Sequence, residues 1–453
     1  MKRSYFLPAL ALVALLPACK KFVTVDPPPT QVESSEIFKS DQAAISAAVG
    51  LYSRMGSAPL SITNGGITVY AALAADELYN TASSATYDGY TANAILPTDA
   101  TGHERLWNFG YRNIYQANAV MEGLSASALV TDTLKRQLRG EMLVSRAMNY
   151  FYLVNIYGDV PLELGTDYRI NSLLPRTPAA QVYNQVVQDL VEAQGLLKSA
   201  YPSAAKGRPN LWTATALLAR VYLYQKNWAA AEAQATAVIG SGSYALATTP
   251  ATVFSAASPE TIWQLPRDNS NTAEGANFVP SSATARPTFA LTSFLLAALA
   301  GDGRKTSWTG LNTVSGTPYY YPSKYKVRTT TPITEYYVLL RLAEQYLIRA
   351  EARAQQNNIS GAQADINRIR TRAGLANTTP ADQASLLTAI EKERQVELMF
   401  EWGHRWFDLK RTGRIDAVLG AEKGAAWQPT DALFPVPDAQ LRANPLLVQN
   451  PGY

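Results

Sequence analysis

Four positions recur at one spacing in two places, and that recurrence limits the fold more than any other feature of the chain. Ala219, Ala231, Ala235 and Val238 stand at offsets 0, 12, 16 and 19, and Ala350, Ala362, Ile366 and Ile369 stand at the same offsets 131 residues later. Small side chains at the first two positions let two antiparallel helices approach closely, and the residues at +16 and +19 face back onto them. That is the packing logic of a tetratricopeptide hairpin, which residues 213–239 match through Leu218, Ala219, Tyr222, Trp228 and Ala231. The expected fold class is mainly α: tetratricopeptide-like helical hairpins with an irregular, loop-rich ligand-binding subdomain.

Apolar periodicity predicts further helices over Ser34–Met55, Val69–Leu78, Glu104–Leu124 and Leu134–Tyr157. The last carries two apolar stripes, which implies burial on two sides, and Gly158-Asp159-Val160-Pro161 ends it. Thr177, in N-cap position before Pro178, starts another helix that runs to about Ser199. Residues 241–334 lack sustained helical period apart from Thr288–Leu299, yet they hold Trp263, Phe278, Trp308 and Tyr319-Tyr320-Tyr321. A structureless loop of that length is out of place in a compact domain, so this is read as an irregular subdomain of loops and short strands. The tail from Leu433 to Tyr453 is punctuated by proline and shows no clear helix. The expected organisation is a leader (1–18), a linker (19–33), an N-terminal helical region (34–240), the irregular subdomain (241–334) and a C-terminal helical region with its tail (335–453).

Lys2 and Arg3 precede an apolar run from Tyr5 to Leu16, the pattern of a secretory signal too short to span a bilayer. Cys19, the only cysteine, follows Leu16-Pro17-Ala18 where a bacterial lipobox requires it, which assigns Cys19 as the lipidation site. Acyl chains there, at about 0.8 kcal/mol per buried CH₂, anchor a protein stably. Pro27-Pro28-Pro29 then forms a semi-rigid spacer. Removing Lys2 and Arg3 lowers the formal net charge from +4 to +2, and no basic block offers a footprint for nucleic acid.

Glu391–Gly413 is the densest mix of charge and aromatics in the chain. Read as one helix, it sets Glu393, Glu397 and Glu401 four apart, a spacing close to that of paired carboxylates in retaining glycosidases. Arg394 and Arg405 beside them favour the ionised forms, whereas a general acid needs a raised pKa. The segment is therefore read as a structural network of Glu393, Arg394, Glu397, Glu401, His404 and Arg405, with His404 an oriented hydrogen-bond partner. No catalytic residue, metal site or cofactor is expected: there are only two histidines, in unrelated contexts, and phosphate-loop and dinucleotide motifs are absent. Asp76-Glu77 reads as a solvated acidic spot at a helix end. Binding by aromatic loops remains. Sugar rings stack on Tyr and Trp while amides and carboxylates take the hydroxyls, so the candidates are Tyr79, Asn80, Tyr87, Tyr90, Trp263, Tyr319 and Tyr320.

Together these residues resemble the SusD/RagB family of outer-membrane lipoproteins from Bacteroidetes. The resemblance rests on Cys19-Lys20-Lys21-Phe22 with the proline-rich leader, and on Arg146-Ala147 through Tyr152-Leu153-Val154-Asn155 to Tyr157-Gly158-Asp159-Val160-Pro161. It continues through Asp302-Gly303-Arg304-Lys305, Asn367-Arg368-Ile369-Arg370, Gly403-His404-Arg405-Trp406-Phe407-Asp408-Leu409 and Asn450-Pro451-Gly452-Tyr453. Trp402 stands between Glu401 and Gly403 where many members run Glu-Gly-His-Arg directly, which suggests a sub-branch. Lys20-Lys21 stands where the phylum's surface-export signal is acidic, so an outward orientation is implied by the resemblance alone.

The resemblance implies a non-enzymatic protein that captures glycans, or in some members peptides, at the cell surface. It implies a SusC-like TonB-dependent transporter as partner, which the lipoprotein covers as a lid, and a lipid bilayer contact through Cys19. It transfers no ligand residue, because the ligand loops are the variable part of the family. The rival expectations are a peptide-binding RagB-like lipoprotein, a secreted glycoside hydrolase using the Glu393–Glu401 carboxylates, and a periplasmic tetratricopeptide scaffold.

Overall fold

The structure, a computed structural model, describes residues 37–267, 269–329 and 331–453. The leader, Cys19 and the linker lie outside the described residues. Helix α1 (Asp41–Ser57) begins where the Ser40 hydroxyl accepts from the Ala43 amide. Helix α2 (Gly66–Ala74) is apolar on nearly every side and all its residues are buried. After α3 (Ala85–Thr91) and a π-turn at Glu104–Asn108 come α4 (Phe109–Ala126) and α5 (Asp132–Tyr157). Both apolar stripes of α5 are buried, and Gly158, at φ 72°, ends it in a conformation that favours glycine.

Helix α6 (Ala179–Leu196) is capped differently from the expectation. Thr177 lies one residue too early and pairs with Val160 in an isolated bridge, while the Asp159 carboxylate accepts from the Ala179 amide at 2.8 Å. The turn that ends α5 thus supplies the cap of α6.

Helices α7 (Leu211–Tyr224) and α8 (Trp228–Gly240) form the first hairpin, and α9 (Leu342–Gln355) and α10 (Ile359–Arg372) the second. All eight repeat residues are fully buried. The repeat also extends into the turns. Lys226 and Asn357 both adopt positive φ (59° and 62°), and the next residues, Asn227 and Asn358, cap α8 and α10 from their side chains. Consecutive helices from α4 to α10 pack side by side, so the hairpins continue one helical stack. Helix α11 (Gln383–Glu397) closes onto α9 and α10, and α12 (His404–Arg411) and α13 (Ile415–Lys423) follow.

Among the described residues, six short strands form three antiparallel pairs: β1 (Leu78–Asn80) with β3 (Phe289–Leu291), β2 (Thr261–Leu265) with β6 (Tyr337–Arg341), and β4 (Thr309–Val314) with β5 (Thr317–Pro322). Residues 288–299, expected as one helix, divide into β3 and a helical turn at Ser293–Ala298 capped by Thr292. An apolar run this short has no period that separates strand from helix. The tail also contains a helical turn, Asp438–Ala443. One apolar core draws residues from all three expected regions, from Ala44 to Val436. The end of the chain latches onto α5: the Asn450 amide donates to the carbonyls of Tyr157 (2.9 Å) and Phe434 (2.7 Å) and accepts from Arg176 (2.6 Å).

Candidate ligand-binding site

Strands β1 and β3 pair Tyr79 with Ala290 and Asn80 with Phe289, which fixes where the first aromatic loop leaves the helices. Thr292 extends the pairing, its amide donating to the Glu77 carbonyl and its hydroxyl to the Asp76 carbonyl. The β4–β5 hairpin turns at Ser315 and Gly316, both at positive φ, and β5 packs against β3. This arrangement brings Tyr79 and Tyr320 to the walls of one cleft of about 540 Å³, also lined by Leu291, Phe294, Pro318 and Glu422. Tyr319 is close enough to Tyr79 to add to the rise in its phenol pKa, which comes first from burial. The Lys305 ammonium sits over the Tyr320 ring, 4.6 Å from its centre.

The cleft's two charged groups differ. The Lys423 ammonium donates to the carbonyls of Leu73, Ala74 and Thr91 and to Asn93 Oδ1, at 2.6–3.1 Å, so it caps the C-terminus of α2 and has no donor to spare. Glu422 Oε2 is buried and has no hydrogen-bond partner among the described residues. Burial, and then Asp76, push the Glu422 carboxyl up to about 7. The cleft therefore brings together aromatic side chains and a carboxylate with an unused acceptor. Glu422 and Phe294 escaped the sequence reading, because a glutamate on an amphipathic helix carries no mark of what faces it.

The remaining candidates do other work. The Asn80 amide donates to Ala82 O (2.6 Å) and Asp88 Oδ1 (2.7 Å) and accepts from the Ala82 amide, so it shapes the loop. Tyr87 packs edge-on against Phe289 and accepts from Arg105. Tyr90 and Trp263 are buried and present no face to a ligand. Tyr90 packs between Tyr70 and Phe434, and the Trp263 indole donates to the Gly207 carbonyl at 3.3 Å. Strand β2 carries Trp263 into the core: β6 pairs along its edge, and all five of its residues are buried.

Glu391–Gly413 is not one helix. Helix α11 stops at Glu397, and Phe400, Trp402 and Gly403 all take positive φ before α12 begins. The partners also differ from those expected. Glu397 accepts from Arg341 (2.6 Å), Arg304 (2.8 Å) and Arg372, all distant in sequence. Glu401 binds Arg341 and Lys324, and Glu393 lies 2.7 Å from Arg304 and 3.2 Å from Arg370. Arg394 instead pairs with Asp408, and Arg405 with Asp76 across 329 positions. Asp76 and Glu77 are therefore buried, not solvated. Burial alone would raise the Glu397 carboxyl, but Arg372, Arg341 and Arg304 hold it well below the usual carboxylate range. That is the opposite of what a general acid needs. His404 is buried, and burial followed by Arg220 and Arg394 keeps it neutral. Its Nδ1 has no partner among the described residues, and its Nε2 is 3.8 Å from Glu344.

Among known proteins, a family profile described as "SusD family" matches residues 297–453, and one described as "Starch-binding associating with outer membrane" matches residues 25–223. A SusD-like protein P25 of Formosa agariphila is 24% identical, the match covering 96% of this chain and 97% of that one. A second protein of that organism, SusD-like protein P38, is 26% identical over 80% of this chain and 82% of its own length. Among solved structures, a laminarin binding SusD-like protein superposes with a TM-score of 0.80 at 26% identity, covering 92% of this chain and 100% of that one. A SusD superfamily protein from Bacteroides vulgatus superposes with a TM-score of 0.81 at 20% identity and the same coverage.

Proposed function

Since the chain belongs to the SusD family, whose members bind and do not catalyse, we propose that it is a surface lipoprotein that captures oligosaccharide and delivers it to a SusC-like TonB-dependent transporter. The observation that carries the reading is the cleft between Tyr79 and Tyr320, where the Glu422 acceptor stands unused. Sugar rings present an apolar face and a hydroxyl edge, and this wall matches both. The family's association with the outer membrane and the laminarin-binding relative support the same reading.

The proposal is tested by titrating the purified protein with laminarin-derived and starch-derived oligosaccharides. Replacing Tyr320 with alanine is expected to weaken binding by about thirtyfold, the effect of removing a 2 kcal/mol aromatic anchor. Unchanged affinity in that variant moves the site elsewhere. A tight peptide ligand, with no saccharide bound, would support the peptide-binding alternative. In this reading Cys19 carries the lipid and the body faces outward; Cys19→Ala should leave the membrane fraction, and protease added to intact cells should cut the wild type.

A further inference from the structure

A second cleft lies apart from the first, between α4, residues 161–172 and residues 440–447, with a volume of about 470 Å³. Its wall is an aromatic ladder. Trp107, Tyr111 and Tyr115 follow one another at intervals of four residues, and Tyr168 stands opposite them on the next segment. One helical turn rises 5.4 Å, about the length of a sugar ring. The ladder runs from buried to exposed: Trp107 is 3% exposed, whereas Tyr115 is 51% and Tyr168 77% exposed. Aromatic rings this exposed, beside a cavity, have given up burial that the rest of the chain secures for its tyrosines.

Glu163 lines this cleft, and its carboxylate makes no hydrogen bond or ion pair with any described residue. Its main chain is clamped: the amide donates to the Tyr150 hydroxyl at 2.6 Å, and the carbonyl accepts from Tyr150 at 2.9 Å and from Asn118 at 3.0 Å. The main chain of Glu163 is thus held in place, and its carboxylate oxygens are left to other partners. Burial pushes the carboxyl up to about 7. Arg112 lines the same cleft, paired with Glu104.

A guanidinium and a free carboxylate in one cleft discriminate among ligands by charge. Arg112 disfavours an ammonium, and Glu163 disfavours an acidic sugar. A neutral ring with hydroxyls, which donate and accept, suits both groups. We propose that this cleft is a second saccharide site, in which a neutral sugar lies on Tyr115 and Tyr168 and donates hydroxyls to the Glu163 carboxylate. The inference rests on the reading of the chain as a saccharide-binding protein, and it adds a site that the loops around Tyr79 and Tyr320 do not build.

The test is a calorimetric titration of the full protein with short laminarin-derived and starch-derived oligosaccharides, in wild type and in Tyr320→Ala, Glu163→Gln and Tyr168→Ala. Wild type should bind two molecules. Above pH 8, where Glu163 is ionised, Tyr320→Ala should keep the second, and Glu163→Gln should weaken that second event by about tenfold or more, as expected for a lost hydrogen bond to a charged group. Tyr168→Ala, at an exposed position, should do the same without moving the melting temperature. Binding that Tyr320→Ala abolishes and Glu163→Gln leaves untouched overturns this inference and spares the proposed function. No binding of any probe by wild type overturns both. Sugar binding that Tyr168→Ala leaves intact, with loss of a protein partner, overturns it in favour of a docking surface.

Discussion

Glu397 and Glu422 are both carboxylates withdrawn from water, and their surroundings treat them in opposite ways. Three arginines converge on Glu397, whereas Glu422 has an oxygen with no partner among the described residues. The first region uses its charges on the protein itself; the second leaves one available. The shifts follow: arginines override burial to hold Glu397 low, and burial carries Glu422 up to about 7. A buried carboxylate identifies a ligand site only when its partners have been counted.

The sharpest way to break this comparison is Glu397→Gln. Removing one partner of a buried ion-pair network strands the others, and the expected loss of stability is about 3–5 kcal/mol in denaturant unfolding. A variant as stable as wild type would show that Arg304, Arg341 and Arg372 do not depend on it.

Glu422→Gln should behave in the reverse manner. Unfolding is expected to change little, while saccharide affinity above pH 8 falls about tenfold or more through loss of a charged acceptor. Loss of stability without loss of affinity would place Glu422 with Glu397.

The smallest effect is in the pH dependence of stability, where the two carboxylates have opposite signs. The raised Glu422 pKa contributes stability that is fully present below its ordinary value of 4.5 and is lost as pH rises through about 7. The lowered Glu397 pKa contributes stability that is present above 4.5 and is lost as pH falls through its depressed value. Glu422 is partly exposed, so its share is below about 1 kcal/mol after screening. Unfolding curves from pH 5 to 8 should show a shallower decline in Glu422→Gln than in wild type; equal slopes would remove Glu422 as the cause of that share.

The hairpins were legible in sequence because close helix packing leaves a local record, small residues at fixed spacings. The network was legible only as a density of charge. Its partners come from positions 304, 341 and 372, and no local pattern points to them. The break after Glu397 was hidden for a related reason. Phe400 and Trp402 take positive φ against their own preference, held there by tertiary contacts such as the Phe400 amide on Glu77 and the Trp402 amide on Thr68. Composition pointed to aromatic loops but did not separate Tyr79 and Tyr320, which line a cleft, from Trp263, which is buried, because that depends on what packs over β2 in three dimensions. Glu163 and Glu422 left no signal, since what distinguishes them is the absence of a neighbour.

The latch of Asn450 on Tyr157 and Phe434, and the pairing of Arg405 with Asp76, set the order of events during synthesis. Contacts spanning 293 and 329 positions cannot form until Asn450 and Arg405 have been made, so the core closes late. An incomplete chain exposes the end of α5 and leaves the Asp76 carboxylate without its guanidinium. Loss of Asn450 is therefore a lesion in folding kinetics, felt at the end of α5.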